Sequence, residues 1–226
     1  MKKISESIIL IDKPSGITSF DCIRRLRPIL GVKKMGHAGT LDPLATGLMI
    51  IGVGNEGTKK LNDFKGLDKT YEVKALLGKK TDTGDIDGEV IEELEEFDID
   101  IKKVEKVIND LKGEKSIPAP LYSAIKHKGK PLYWYARKGK SVEVPIRSMV
   151  VKEVDFLGMY KEKNKVFLDF SLKVSSGTYV RSLVEEVGKS LGVPATLYAL
   201  RRNFIGDISV NEAFSFKDLE NKRSSE

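Results

Sequence analysis

Residues 36–47 read GHAGTLDPLATG, and this stretch decides how the rest of the chain is interpreted. It has no hydrophobic period, and its glycines, its proline, one histidine and one aspartate fit neither a helix nor a strand. A basic segment precedes it, and the apolar run 48–51 that follows is typical of a buried strand. A single carboxylate, Asp42, on a loop stiffened by glycine and proline beside positive charge is suited to holding an acid against an anionic substrate.

Composition predicts a globular protein with an uneven charge distribution. The chain has 226 residues, of which 40% are hydrophobic, and its net charge is +6. Residues 1–40 contain eight Lys and Arg against three Asp and Glu, residues 120–150 contain seven against one, and residues 82–100 are strongly acidic. This segregation indicates one face built for a polyanion. From composition alone, a solvated lysine-rich surface is an equally good interpretation.

Cysteine and histidine usage limits the chemistry. The single cysteine, Cys22, excludes a disulfide framework and a multi-cysteine metal site, and two histidines exclude a histidine-rich one. Cys22 falls on the apolar side of a predicted helix, so we expect a buried, inert thiol. The apolar run 8–11 is too short for a secretory signal or a membrane span, which predicts a cytoplasmic protein without membrane contact.

Hydrophobic periodicity predicts alternating strands and helices. Strands are expected over 7–11, 48–51, 71–77, 149–160, 165–174 and 197–208, and helices over 18–30, 58–64, 101–111, 132–138 and 179–191. Residues 81–88 are predicted to be a polar loop and the segment from 114 to begin irregularly. Since strands outnumber helices and are mixed in order, the predicted class is α+β, with a mixed, mainly antiparallel central sheet flanked by helices.

Six blocks of sequence resemble the TruB family of pseudouridine synthases, the tRNA pseudouridine-55 synthases. In chain order they are DKPSGITS (12–19), GHAGTLDPLATG (36–47), KTYEV with LGKKTDT (69–83), PLYSAIK (120–126), SGTYVR (176–181) and LRR (200–202). One such match is weak evidence, but six in the right order make the resemblance specific. It implies the pseudouridine synthase fold and covers nearly the whole chain.

The resemblance also implies roles for individual residues. Asp42 is the implied catalytic residue, and Tyr71 and Arg181 are the implied active-site tyrosine and arginine. Leu200 corresponds to the leucine that lines the uracil pocket. The other implied positions are His37, Lys126 and Tyr179 as RNA contacts, and Lys13 and Pro14 as structural supports of the catalytic loop.

The expected organisation follows from the same resemblance. Residues 1–215 are expected to form a single catalytic domain, with an insertion that grips the tRNA T-arm at about 114–148 and a frayed tail over 216–226. The chain resembles a short form of the family without a C-terminal PUA domain. The implied activity is conversion of uridine to pseudouridine at position 55, in the T-loop of tRNA. We expect a monomer that binds the T-stem and loop and needs no metal or cofactor.

The implied residues suit this chemistry, in which the N1–C1′ bond breaks, uracil rotates and C5 joins C1′. Asp42 can attack C1′ or act through the C2′ proton, and the sequence leaves both roles open. A bidentate arginine, the role that Arg181 resembles, would keep a desolvated carboxylate ionised. Tyr71 offers a ring that stacks on the base and a phenolic oxygen near C5, although a free phenol is a poor base.

Ordinary structural interpretations exist for each of these residues. Asp42 before a proline is common turn chemistry, Tyr71 in a strand is commonly a core aromatic, and Arg181 at a helix start is commonly on the surface. Lys13 before Pro14 is ordinarily an exposed turn lysine, and here a structural role is preferred. At the level of function, the alternative is a non-catalytic protein that binds the tRNA T-arm or assists tRNA folding.

Overall fold

The computed structural model describes residues 7–223, and the chain divides into two compact units. Residues up to Glu72 together with those from Leu200 onwards form the first unit, and Val73–Ala199 form the second. Two strands, β4 (Lys69–Leu77) and β12 (Ala195–Ile205), run from one unit into the other. Whether the units make the single domain expected from the sequence stays a prediction.

The first unit contains the Asp42 segment. Its elements are β1 (Ile8–Lys13), α1 (Ser19–Leu30), β2 (Met35–Ala38), β3 (Thr46–Val53), α2 (Gly54–Lys60), α3 (Asn62–Lys65), the start of β4, the end of β12, β13 (Ile208–Ser209), a 3-10 turn (Val210–Glu212) and α7 (Phe216–Arg223).

Strand β3 is the centre of the first unit. β1 pairs with it antiparallel from Ile8↔Gly52 to Lys13↔Gly47. On the opposite edge, β2 pairs antiparallel with the end of β3, and β12 pairs parallel with its start through Arg201↔Thr46. Because β2 and β12 occupy different ends of one edge, the chain between β2 and β3 leaves the sheet in the gap between them.

Helix α1 shows why local sequence signals predicted this part of the fold. Thr18 caps its N-terminus in a reciprocal capping box with Asp21, and Gly31 ends it in the left-handed conformation with φ of 67°. Cys22 is fully buried on the inner face, and burial raises the pKa of its thiol to about 11. The predicted helix and the predicted burial of Cys22 are therefore confirmed, and the raised pKa agrees with an inert thiol.

The second unit holds the rest of the sheet. Its other elements are β5 (Lys79–Thr81), β6 (Val90–Glu93), α4 (Ile101–Asn109), β7 (Gly113–Pro118), β8 (Lys126–His127), β9 (Lys130–Pro131), α5 (Leu132–Arg137), β10 (Ile146–Glu162), β11 (Lys165–Val174) and α6 (Val180–Leu191). The strand order is β12-β4-β11-β10-β7, and β10 pairs antiparallel with both β11 and β7. Helices α4 and α6 contact each other, and both bury an apolar face.

The fold class is confirmed as α+β with a mixed sheet and flanking helices, and three local predictions are corrected. The first three residues of the opening segment, 36–38, belong to β2, because they pair along the edge of β3. Gly113–Pro118 is a strand, because it pairs along β10. Phe216–Arg223 is a helix where a tail was expected, with Phe216 buried beneath Arg25 of α1. Within residues 7–223, no helix is both long and apolar enough to cross a membrane.

Candidate active site

Asp42 lies on the loop formed by residues 39–45, which joins β2 to β3. Its side chain is half-buried, and the neighbouring Leu41 and Ala45 are buried. The backbone N–H of Ala45 donates to the Asp42 carbonyl oxygen at 3.1 Å, which closes a tight turn around the carboxylate. The loop therefore presents Asp42 from a folded base rather than from a mobile connection.

Lys13 supports this loop from below. It is fully buried, and its Nζ donates to the carbonyl oxygens of Pro14 at 2.9 Å, Ile17 at 2.8 Å and Pro43 at 3.1 Å. Burial lowers the pKa of Lys13, and the nearby negative charge of Asp42 opposes that shift. The ammonium group thus joins the turn that follows β1 to the residue immediately after Asp42, which supports the predicted structural role of Lys13 and Pro14.

Further hydrogen bonds hold the backbone on both sides of Asp42. Ser19 Oγ accepts from the N–H of Leu41 and donates to its carbonyl oxygen, each at 2.9 Å. The N–H of Gly16 donates to Pro43 O at 2.9 Å, and Ser15 Oγ donates to Leu44 O at 2.9 Å. All of these groups come from the 12–19 block, so that block fixes the loop in place before substrate binds.

Tyr71 and Leu200 also belong to the first unit. Both are buried, each with 8% of its surface exposed. The Leu200 carbonyl oxygen accepts from Thr46 Oγ1 at 3.4 Å, next to the point where the Asp42 loop enters β3. Beside Tyr71, Glu72 Oε1 accepts from Asn203 Nδ2 at 2.8 Å, which links β4 to β12. The first unit therefore contains the carboxylate, the tyrosine and the leucine of the predicted site.

His37 lies on β2 opposite Ile51 and is half-buried. Burial lowers the pKa of its imidazole, and the charge of Arg202 lowers it further, so the ring is neutral at pH 7. Its buried Nδ1 has no hydrogen-bond partner among residues 7–223. A neutral imidazole does not supply charge to a phosphate, and the RNA contact predicted for His37 stays a prediction.

Arg181 lies in the second unit, in the first turn of α6, and is 95% buried rather than exposed (5% of its surface is accessible). Nη1 donates to Thr83 O at 2.8 Å, Nη2 donates to Tyr122 O at 3.0 Å, and Nε lies 3.9 Å from Asp85 Oδ2. These contacts fix the plane of the guanidinium group, which a bidentate role requires.

The remaining predicted contacts of the second unit lie on its surface. Lys126 is exposed on the β8–β9 hairpin, and Tyr179 is the half-buried cap residue before α6. Basic and aromatic side chains alternate around Lys126: Lys130 Nζ is 4.3 Å and Lys140 Nζ is 5.5 Å from the Trp134 ring centroid, and the Arg137 guanidinium is 5.4 Å from that of Tyr133. Such a surface combines charge for phosphates with rings for bases.

Comparison with known proteins decides the family. Residues 27–180 match the family model described as TruB family pseudouridylate synthase (N terminal domain), which is more than half of the chain. The chain belongs to the TruB family. Membership makes it an enzyme of the pseudouridine synthase class.

Curated TruB relatives match along most of the chain. A protein of Desulfotalea psychrophila named tRNA pseudouridine synthase B is 41% identical over 213 residues, which covers 94% of this chain and 87% of that protein. A protein of the same name from Bacillus subtilis is also 41% identical, over 215 residues that cover 94% of this chain and 69% of that protein.

Solved structures share the fold at lower identity. A chain of an archaeal box H/ACA ribonucleoprotein complex superposes with a TM-score of 0.69 at 23% identity, covering 96% of this chain and 53% of that chain. A chain of an H/ACA ribonucleoprotein bound to a substrate RNA gives a TM-score of 0.70 at 23% identity, covering 95% and 52%. Together with the family match, these likenesses confirm the predicted pseudouridine synthase fold.

Sequence reasoning missed two residues that support the Asp42 loop. Ser19 was given no role in the site, yet its hydroxyl is hydrogen-bonded to the backbone of Leu41. Arg202 was noted within a TruB motif without a role, yet it is 1% exposed and contacts the Asp42 loop. A usable signal existed for Arg202: strand alternation places it on the same side as Leu200, where a charged side chain is unexpected. No comparable signal marks Ser19.

Proposed function

We propose that this TruB protein converts uridine to pseudouridine in the T-loop of tRNA, at position 55, with Asp42 as the catalytic residue. The observation that carries the proposal is the rigid base under Asp42. Hydrogen bonds from Lys13, Ser15 and Ser19 hold the backbone of the residues around this carboxylate. A turn aspartate without a catalytic task does not need such support, since it caps its own backbone.

The chemistry requires a charged carboxylate near C1′ and a surface that captures the rotated base. Asp42 supplies the carboxylate, as a nucleophile toward C1′ or as a base toward C2′–H. Tyr71 supplies a ring face for the base, and Leu200 supplies an apolar wall. Arg181 is the arginine that the family motif implies, and in the second unit its guanidinium group donates to Thr83 O and Tyr122 O. We expect the protein to act as a monomer in the cytoplasm, without metal or cofactor.

The direct test is incubation of unmodified tRNA transcripts with the protein, followed by mapping of pseudouridine through carbodiimide adducts that stop reverse transcription. We expect one stop, at the T-loop uridine. A protein that only clamps or folds the T-arm would shift the tRNA in a gel but leave no adduct. Adducts at other positions alone would assign the chemistry to another RNA.

An isolated T-arm hairpin should be modified at a rate comparable to that of full-length tRNA. The target uridine must leave its stack, at a cost of a few kcal/mol, and stacking on Tyr71 with contacts from the Lys126 surface offsets that cost locally. Rates on the hairpin and on the full transcript are compared under single-turnover conditions. A decrease of several orders of magnitude on the hairpin would contradict recognition through the T-arm.

Tyr71→Phe should bind RNA as the parent does but stall the reaction before C5 loses its proton. The ring and its burial are retained, and the phenolic oxygen is lost. Tyr71→Leu is the matched comparison, because it removes the ring as well and should weaken base capture. Single-turnover rates and RNA affinities separate the two steps. A near-parental rate for Tyr71→Phe would restrict Tyr71 to stacking.

Replacement of Lys126, Lys128, Lys130 and Lys138 by alanine should flatten the dependence of RNA affinity on salt. All four are exposed in the second unit, and each phosphate neutralised by a lysine releases counterions. Each lost contact should reduce the slope of log affinity against log salt by about 0.7 to 0.9. The matched control replaces the exposed lysines Lys106, Lys112, Lys161 and Lys165 of the same unit. An unchanged slope in the first variant would place the RNA elsewhere.

A further inference from the structure

Arg202 completes the support of the Asp42 loop from the side opposite the 12–19 block. Its Nη2 donates to Gly39 O at 3.2 Å and its Nη1 to Thr40 O at 3.5 Å, where the loop leaves β2. Its Nε donates to Leu48 O at 2.8 Å, on β3 after the loop has returned. One planar group therefore ties the outgoing and the incoming ends of the loop together.

The place of Arg202 in the sheet explains this geometry. Along one edge of β3, the pairing with β12 ends at Arg202↔Gly47. The pairing with β2 starts three residues further along β3, at Ala38↔Ile50. Leu48 lies between these two paired stretches, and its buried carbonyl oxygen accepts from Arg202 Nε at 2.8 Å. The Arg202 guanidinium fills the gap, and it reaches the loop carbonyls because its donors form a fixed fork.

The electrostatic surroundings of Arg202 are also unusual. Its charge lowers the pKa of Lys13 on β1, of His37 on β2 and of Lys69 on β4, and burial is the larger cause in each case. For Lys69 the resulting pKa is about 8. The buried cations Lys13, Lys69 and Arg202 thus lie together, and the charge of Asp42 acts on Lys13. Arg202 therefore belongs to the buried base that carries the Asp42 loop.

We propose that Arg202 is a positioning residue for catalysis, whose guanidinium holds the Gly39–Thr40 end of the loop where Asp42 acts. The inference rests on the proposed function, because it takes Asp42 as the catalytic group. Arg202 acts through the loop and not on the substrate. It should therefore govern the turnover step and leave RNA binding unchanged.

Two substitutions at Arg202 separate the effect of its planar set of hydrogen-bond donors from the effect of its charge. Arg202→Lys keeps a cation but loses the planar set of donors, so kcat should fall on the order of 100-fold with KM within about threefold. Arg202→Met removes the charge as well as the donors, so its kcat should fall at least as far, again without a matching change in KM.

The matched control is Arg201→Lys. Arg201 is the neighbouring residue on the same strand, and it pairs with Asp12 at 2.8 Å at a partly exposed position, so kcat should stay within about threefold. Thermal unfolding and RNA affinity are measured for each variant. If Arg202→Met does not fold, the kcat and KM of Arg202→Lys alone test the inference. A parental kcat for Arg202→Lys would overturn the inference, as would a loss confined to RNA affinity. Absence of pseudouridine with the parent protein would instead refute the proposed function.

Discussion

Asp42→Asn should lose turnover by at least about 10⁴-fold, the scale seen when a residue that forms or breaks bonds is removed. The amide keeps the size of the carboxylate, and the loop is held through its backbone by Lys13, Ser19 and Arg202, so the fold of the site should persist. RNA affinity should stay within a few-fold, or rise slightly, because a negative charge near phosphates is lost. Single-turnover pseudouridine formation and filter binding measure the two quantities.

The matched control is Asp63→Asn, which makes the same chemical change at an exposed position of α3 in the same unit. It should leave both turnover and affinity unchanged. Substantial activity in Asp42→Asn would show that another group performs the catalytic step. A large loss of affinity in that variant would show that Asp42 holds the RNA rather than reacting with it.

Gly47→Ala should be among the most destabilising single substitutions in the first unit. Gly47 has φ of 107°, and a Cβ there would lie 2.6 Å from the backbone nitrogen of Arg202 and closer still to its carbonyl oxygen. The obstructing atoms belong to the backbone of a paired strand, so β12 must move away from β3. We expect a loss of about 4 kcal/mol in the free energy of unfolding, or about 10 °C in Tm, with loss of activity.

Gly54→Ala measures the cost of a left-handed backbone conformation at a position where the added Cβ causes no steric clash. Gly54 has φ of 70°, but a Cβ at this position meets no atom within 4 Å. The cost should be limited to the left-handed conformation itself, about 1 kcal/mol. Similar Tm values for the two variants would show that β3 and β12 separate easily at Gly47, and the close pairing would then have no role in supporting the Asp42 loop.

Local signals predicted the elements whose ends are set by neighbouring residues. Thr18 with Asp21 begins α1, and Gly31 and Gly192 end α1 and α6 with positive φ, as capping rules require. Strands β10 and β11 were also predicted, because each carries its own alternation. β2 and β7 were missed because each is a strand only by pairing with β3 or β10, and a short polar segment carries no record of its partner.

In the candidate site, too, the sequence predicted some features and the tertiary structure decided others. Motif order in the sequence was sufficient to name Asp42, Tyr71 and Arg181, and the family is confirmed by the comparisons. Their catalytic roles stay predictions that the proposed experiments test. Motif order did not predict that Arg181 is buried against the carbonyl oxygens of Thr83 and Tyr122, because those acceptors lie far away in the sequence.

By itself the sequence determined the fold class, the family and the position of the candidate catalytic carboxylate, since these depend on short patterns and on motif order. The tertiary structure decided which charged residues are buried and what they hold. Lysine and arginine usually lie on the surface, yet Lys13 and Arg202 are both buried and donate hydrogen bonds to carbonyl oxygens of the loop. A buried cation is stable only where acceptors surround it, and here those acceptors come from chain segments up to 163 residues apart.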